Sequence, residues 1–199
     1  MNDARLRLEQ QLALIVELDQ LKNVLRRTKV KSAEGRLENS AEHSWQVTLL
    51  AVLLQEHANE PVELSKVMKM LLVHDIVEID AGDTFVYDAA ASALQEEKEL
   101  EAAKRLFGML PQDQADTLMA IWLEFEAAET PEARYAKALD RMMPMLLNFH
   151  NNGQSWVEHG VAREQVVKVN SRIADGSAIL WDKMSEVVDH AVAQGWLKP

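Results

Sequence analysis

The chain has 199 residues, 48% of them apolar, a formal net charge of −11 and no cysteine. That length suits one domain, here 1–199, able to bury its own core. The missing cysteines exclude disulfides and thiolate metal sites, and the acidic balance argues against a nucleic-acid polymer as partner.

Seven Gly and five Pro are few beside the abundant Ala, Leu, Glu and Met, which predicts an all-α fold. The opening MNDARLRLEQQL is charged and lacks the apolar centre of a signal peptide. No stretch approaches the roughly 20 apolar residues of a bilayer span. A cytoplasmic protein with no membrane partner is expected.

Residues 4–25 carry Leu6, Leu8, Leu12, Leu14, Ile15, Leu18, Leu21 and Val24 at helical spacing, and a polar link over 27–38 follows. Asn39 reads as an N-cap, with Glu42 completing a capping box for a helix over about 40–58. Pro61 opens a third helix, about 62–75, whose centre is apolar enough to be deeply buried. Gly82 marks a turn. Further helices are predicted over about 90–107, 112–127, from Pro131, 162–173 and 177–194, with a loop at His150–Gly153. No repeat or domain linker interrupts them.

The third helix ends on His74-Asp75. A lone His-Asp pair is unspecific, but His43 upstream and Asp140 downstream make a candidate set of two imidazoles and two carboxylates for one divalent cation. Consecutive helical residues point about 100° apart, so His74 and Asp75 can face one ion only at a helix end. Pro144, four residues after Asp140, would deprive the Asp140 carbonyl of its helical donor and could kink the helix there. Each residue also fits a plainer reading: His43 as a capping or surface group, His74 as a core histidine, Asp140 as a partner of Lys137 or Arg141. Glu78, four residues after His74, would stand beside the ligands on a continued turn and could handle a proton of water, or could be a surface carboxylate. Asp83 could reach the same cavity or serve the turn. Asp80 and Asp88 read as solvated. His57 lies about 21 Å from His43 along one helix and cannot share its ion. His150, His159 and His190 are not assigned, so one metal is favoured over two, with bridging carboxylates leaving a second open.

The segments ENSAEHSWQV (38–47), LLVHDIVEIDAGD (71–83), IWLEFEAAETPEAR (121–134) and YAKALDRM (135–142) closely resemble the HD superfamily of metal-dependent phosphohydrolases, nearest its compact 5'-deoxynucleotidase-like group. The likeness spans about 20–185. It implies an HD-domain helical bundle with a five- or six-helix core and extra terminal helices. It implies one divalent metal ion (Mn, Co, Fe, Ni, Zn or Mg) on His43, His74, Asp75 and Asp140, a catalytic role for Glu78 with water, and a second acid, Asp83, near water or sugar. LKNVLRR (21–27) resembles the family segment before the first ligand and implies a phosphate contact for Arg26. The next position, aromatic in some relatives and placed near the sugar, is here Arg27, which leaves the deoxy preference open. A nucleoside 5'-monophosphate substrate and a homodimer are implied; the N-terminal helix and the Met/Trp-bearing tail are each either candidate contacts or parts of the core. Rival readings are an HD hydrolase of alarmones, cyclic nucleotides or deoxynucleoside triphosphates, and a nucleotide-binding module without turnover.

Overall fold

The first apolar stripe folds as α1 (Asp3–Glu17), then tightens into a 3-10 turn, Leu18–Asn23. The computed structural model describes residues 3–83 and 89–199, the side chains of 89–94 excepted, so Asp88 lies outside the described residues. The expected polar link is a hairpin instead: β1 (Leu25–Lys29) pairs antiparallel with β2 (Leu37–Asn39). Alternation along β1 explains it. Arg26 and Thr28 are turned in, while Leu25 and Arg27 are exposed. The leucine-rich helix before it concealed this short period-two stretch, and Arg26 stands on a strand rather than at a helix end.

Asn39 caps α2 (Ser40–Leu54) as expected. Its Oδ1 accepts from the Glu42 N–H at 3.0 Å, and the Glu42 carboxylate accepts from the Asn39 N–H at 3.3 Å. Pro61 stands ahead of α3 (Leu64–Val73) rather than in its first turn. The chain then narrows to a 3-10 turn, His74–Val77, and one further turn, α4 (Glu78–Ala81). Gly82 follows with φ 75°, a left-handed conformation that explains its position.

Helices α5 (Ala89–Phe107), α6 (Gln112–Ala127) and α7 (Pro131–His150) match expectation closely. Thr130 caps α7 through its hydroxyl, which accepts from the Ala133 N–H at 3.2 Å. Beyond the turn at 151–153, α8 (Gln154–His159) occupies a stretch where no helix was expected. The helix expected over 162–173 divides into α9 (Arg163–Asn170) and α10 (Ile173–Gly176), before α11 (Ala178–Ala193).

α7 runs through the centre. Tyr135, Ala136, Leu139, Met143 and Met145 are buried against α2, α3, α6, α10 and α11. A smaller cluster joins Val73, Ile76 and Val77 to Ala103, Leu106 and Phe107 of α5 and Trp122 of α6. The HDIV turn lies where these two cores meet, so its apolar residues are held on one side and its polar pair is left for the other. In the C-terminal tail Leu197 is buried and Trp196 packs on the larger core, so part of the tail belongs to the core. The architecture is the all-α one expected, with the hairpin as its addition. Among the described residues no helix is long and apolar enough to cross a membrane.

Candidate metal centre

Four elements converge on one buried point. His43 sits on the first turns of α2, His74 and Asp75 on the 3-10 turn, Asp140 in the middle of α7, and Arg26 enters from β1. His43, His74 and Asp75 are buried and offer ligand atoms within 4.8 Å of one another. Asp140 Oδ1 lies 3.0 Å from His43 Nε2 and 3.6 Å from His74 Nε2. His74 Nε2 is 3.0 Å from Asp75 Oδ1. Donors sharing an ion at about 2.1 Å stand roughly 3–3.5 Å apart, so these spacings already suit one coordination sphere. The 3-10 turn is what allows neighbours 74 and 75 to reach it together.

The histidine tautomer points the same way. His74 Nδ1 lies 2.8 Å from the Leu71 carbonyl, which can only accept, so Nδ1 carries the proton. Nε2 is left to face Asp75 and Asp140 and is buried without a hydrogen-bond partner among the described residues. The Phe125 ring stands 5.0 Å from the imidazole, centroid to centroid, and fixes its plane. An orphaned buried nitrogen aimed at two carboxylates fits a cation.

The charge around the point is unbalanced. Arg26 Nη1 donates to Asp75 Oδ2 at 2.8 Å and lies 3.7 Å from Glu78 and 3.8 Å from Asp83. Its Nε is 3.7 Å from the buried acid Glu38. With Asp140, five carboxyl groups thus surround one guanidinium and two imidazoles. Burial alone would raise the Asp75 carboxyl, but His74 and Arg26 outweigh it and bring it to about 2. Asp140 is likewise opposed by burial yet held well below the usual range by the imidazoles of His43 and His74 beside it. Glu78 goes the other way: burial and then the Asp75 charge push it well above the ordinary glutamate value, although Ser40 Oγ donates to it at 2.5 Å. Asp83 is raised by burial too. A carboxyl held ionised beside one whose pKa is raised is a pairing suited to acid–base work. Mixed nitrogen and oxygen donors around a net negative pocket fit a borderline divalent ion such as Mn, Fe, Co, Ni or Zn.

Of the expected residues, His43, His74, Asp75, Asp140, Glu78, Asp83 and Arg26 meet here. Arg27 is exposed, yet its charge still acts on the Asp83 carboxyl. Asp80, read as solvated, pairs with Arg105 at 2.7 Å at the surface. Glu38, Ser40 and Phe125 were not singled out. No helical or strand periodicity marks a glutamate before an N-cap as buried, and only the hairpin makes Glu38 an inward residue.

The HD domain family profile matches residues 18–181. A crystal structure of a predicted metal-dependent phosphohydrolase from Magnetospirillum magnetotacticum MS-1 is 48% identical and superposes with a TM-score of 0.94 over 100% of both chains. The 5'-deoxynucleotidase HDDC2 of zebrafish is 28% identical over 131 residues, 66% of this chain and 64% of that one. The bovine protein of the same name is 30% identical over 123 residues, 61% of this chain and 58% of its own. A fission-yeast 5'-deoxynucleotidase, hdd1, is 25% identical over 165 residues, 80% of this chain and 73% of that one. The chain thus spans about three fifths of the two vertebrate relatives, and on the family match it belongs to the HD domain family.

Proposed function

We propose that this chain is a single HD domain that hydrolyses nucleoside 5'-monophosphates to nucleoside and phosphate with one divalent metal ion held by His43, His74, Asp75 and Asp140. The observation that carries the reading is the buried convergence of the two imidazoles with Asp75 and Asp140, beside an arginine suited to phosphate. The names of the curated relatives support the substrate class.

A bound divalent ion supplies polarisation of a phosphoryl oxygen and a lowered pKa for water at the site. Glu78, within reach of the ligand cluster and tethered by Ser40, orients the attacking water and takes its proton. Arg26, set between Asp75, Glu78 and Asp83, presents a planar fork to the phosphate oxygens. Asp83 supports water or the sugar hydroxyls from the loop after α4. Attack proceeds roughly in line with the departing 5'-oxygen. Arg27 stands where an aromatic sugar contact occurs in some relatives, so ribose and deoxyribose substrates are both included in the reading.

A screen of divalent metals against mononucleotides, diphosphates, triphosphates and cyclic nucleotides tests it. Phosphate release confined to 5'-monophosphates supports the proposal. Turnover of another class, or tight binding without turnover under every metal, overturns it.

The same reading includes a cytoplasmic homodimer. Support comes from α2, whose Trp45 (65% exposed), Leu49, Val52 and Leu53 (63%) form an exposed apolar face. Between Glu42 and Glu56 no Asp, Glu, Lys or Arg occurs, so two copies of a chain with net charge −11 can approach there without repulsion. Light scattering of Leu49→Glu and Leu53→Glu tests this, with a dimer mass falling to monomer expected. A monomeric wild type, or an unchanged dimer, rejects that face. Cell fractionation tests the location.

A further inference from the structure

Three buried polar atoms behind the metal cluster lack hydrogen-bond partners among the described residues: Arg26 Nε, Glu38 Oε2 and His43 Nδ1. They face one another. Glu38 Oε2 lies 3.5 Å from His43 Nδ1 and 3.7 Å from Arg26 Nε. Glu38 is 2% exposed and His43 is fully enclosed. A buried carboxylate oxygen without a partner is costly, and these are the two donors beside it. A small movement of the carboxylate, or one water between the three, satisfies all of them.

We propose that Glu38 is a positioning residue that sets the tautomer and ring plane of His43 and ties that ligand to Arg26. This rests on the metal reading above. His43 Nε2 faces Asp140 at 3.0 Å and is the nitrogen of that ring turned into the cluster. It can donate a lone pair only if Nδ1 holds the proton, and Glu38 is the acceptor that keeps it there. His74 achieves the same state through the Leu71 carbonyl. The two ligands therefore have different supports: a neutral carbonyl behind His74, and an acid behind His43. A carboxylate behind an imidazole makes it a more basic ligand and holds its orientation.

The local fold explains how Glu38 gets there. It lies on β2, next to the N-cap Asn39, with Leu37 and Asn39 less buried on either side. The pleat turns Glu38 inward, β1 lays Arg26 beside it, and the capping box fixes the start of α2 so that His43 returns over it. One acid thereby links the proposed phosphate-binding arm to a proposed metal ligand.

The test uses the full chain and Co2+ alone, followed by the visible absorption of the bound ion, with thermal melting as a control for folding. Glu38→Gln keeps the shape and loses the charge. It is expected to weaken Co2+ binding by about 10–100-fold and to alter the absorption band. A folded Glu38→Gln protein with wild-type affinity and spectrum overturns the inference and leaves the proposed function standing. A wild type that binds no Co2+ or Zn2+ overturns both. Nitrogen-15 histidine spectra of the Zn2+-loaded wild type need no variant: the inference requires His43 bound through Nε2 with Nδ1 protonated, and binding through Nδ1 overturns it.

Discussion

Glu78→Gln separates a proton-handling role from a structural one. The amide keeps the length of the side chain and an oxygen that can accept from Ser40, the partner now at 2.5 Å, but it cannot take a proton from water. A positioned acid or base is worth about 10²–10⁴-fold, or about 2.7–5.5 kcal/mol of barrier. Turnover of the best 5'-monophosphate is expected to fall within that range while metal content stays unchanged. Stability is expected to move the other way. In metal-stripped protein, burial and then the Asp75 charge raise the Glu78 carboxyl well above its ordinary value. Its folded pKa therefore lies above the unfolded one, so the protonated form favours folding at low pH and that contribution is lost as pH rises through the two values. Glutamine has no such loss. The metal-stripped variant should melt at or above wild type at neutral pH, and the difference should close in acid. Phosphate release at saturating metal, equilibrium dialysis and a pH series of melts measure the three quantities. Full turnover with normal metal content would refute the role given to Glu78.

Other perturbations read the ligands and the frame. Asp75→Ala removes a proposed ligand and the 2.8 Å partner of Arg26, so metal content should fall far below one ion per chain. Stoichiometric metal by emission spectrometry would count against the ligand set. Chelation should destabilise the protein: an ion present at 100 times its Kd contributes about 2.7 kcal/mol, which is about 5–11 °C in Tm for a chain of this size. A melting curve indifferent to chelator would contradict a native metal site. Asn39→Ala breaks the capping box of α2 and should cost about 1 kcal/mol in urea denaturation, within a range of about 0.5–2. Gly153→Ala should cost more than about 1 kcal/mol, because Gly153 has φ 64° and an added Cβ would come within 2.3 Å of Trp196. A neutral effect in tryptophan-detected unfolding would show that this turn relaxes freely.

Much of the frame was legible because its signals are local. The capping box at Asn39 and Glu42, the Thr130-Pro131 start of α7 and the apolar centre of α3 are each set by a few adjacent residues. The end of α3 at His74 was also legible, since neighbouring ligands cannot face one ion from the middle of a helix. The hairpin was not. Arg26 and Thr28 alternate over only five residues, directly after a leucine-rich helix whose periodicity extends visually into it. The buried Glu38 was invisible for the same reason, because its inward direction exists only once β1 and β2 pair. The division falls at Asn170-Ser171, and α10 beyond it packs on α7.

The site is where the burial rule is broken, and the breach is organised. Val73, Ile76 and Val77 join the smaller core while Met70 and Leu71 join the larger one. The segment between α3 and α4 is thus clamped from two sides, and this rigidity lets His74 and Asp75 sit buried at the junction. Arg26 alone cannot balance the acids gathered around it, since it already touches Asp75 and approaches Glu38, Glu78 and Asp83. Withdrawing Asp75 and Asp140 into a metal's coordination would leave Arg26 free to turn its fork toward an incoming phosphate. Metal and phosphate should therefore bind with positive coupling, each relieving charge that the other would otherwise meet. That coupling must be reciprocal: phosphate should tighten metal binding by the same factor by which metal tightens phosphate binding. Arg26→Gln should abolish most of it without removing the metal itself.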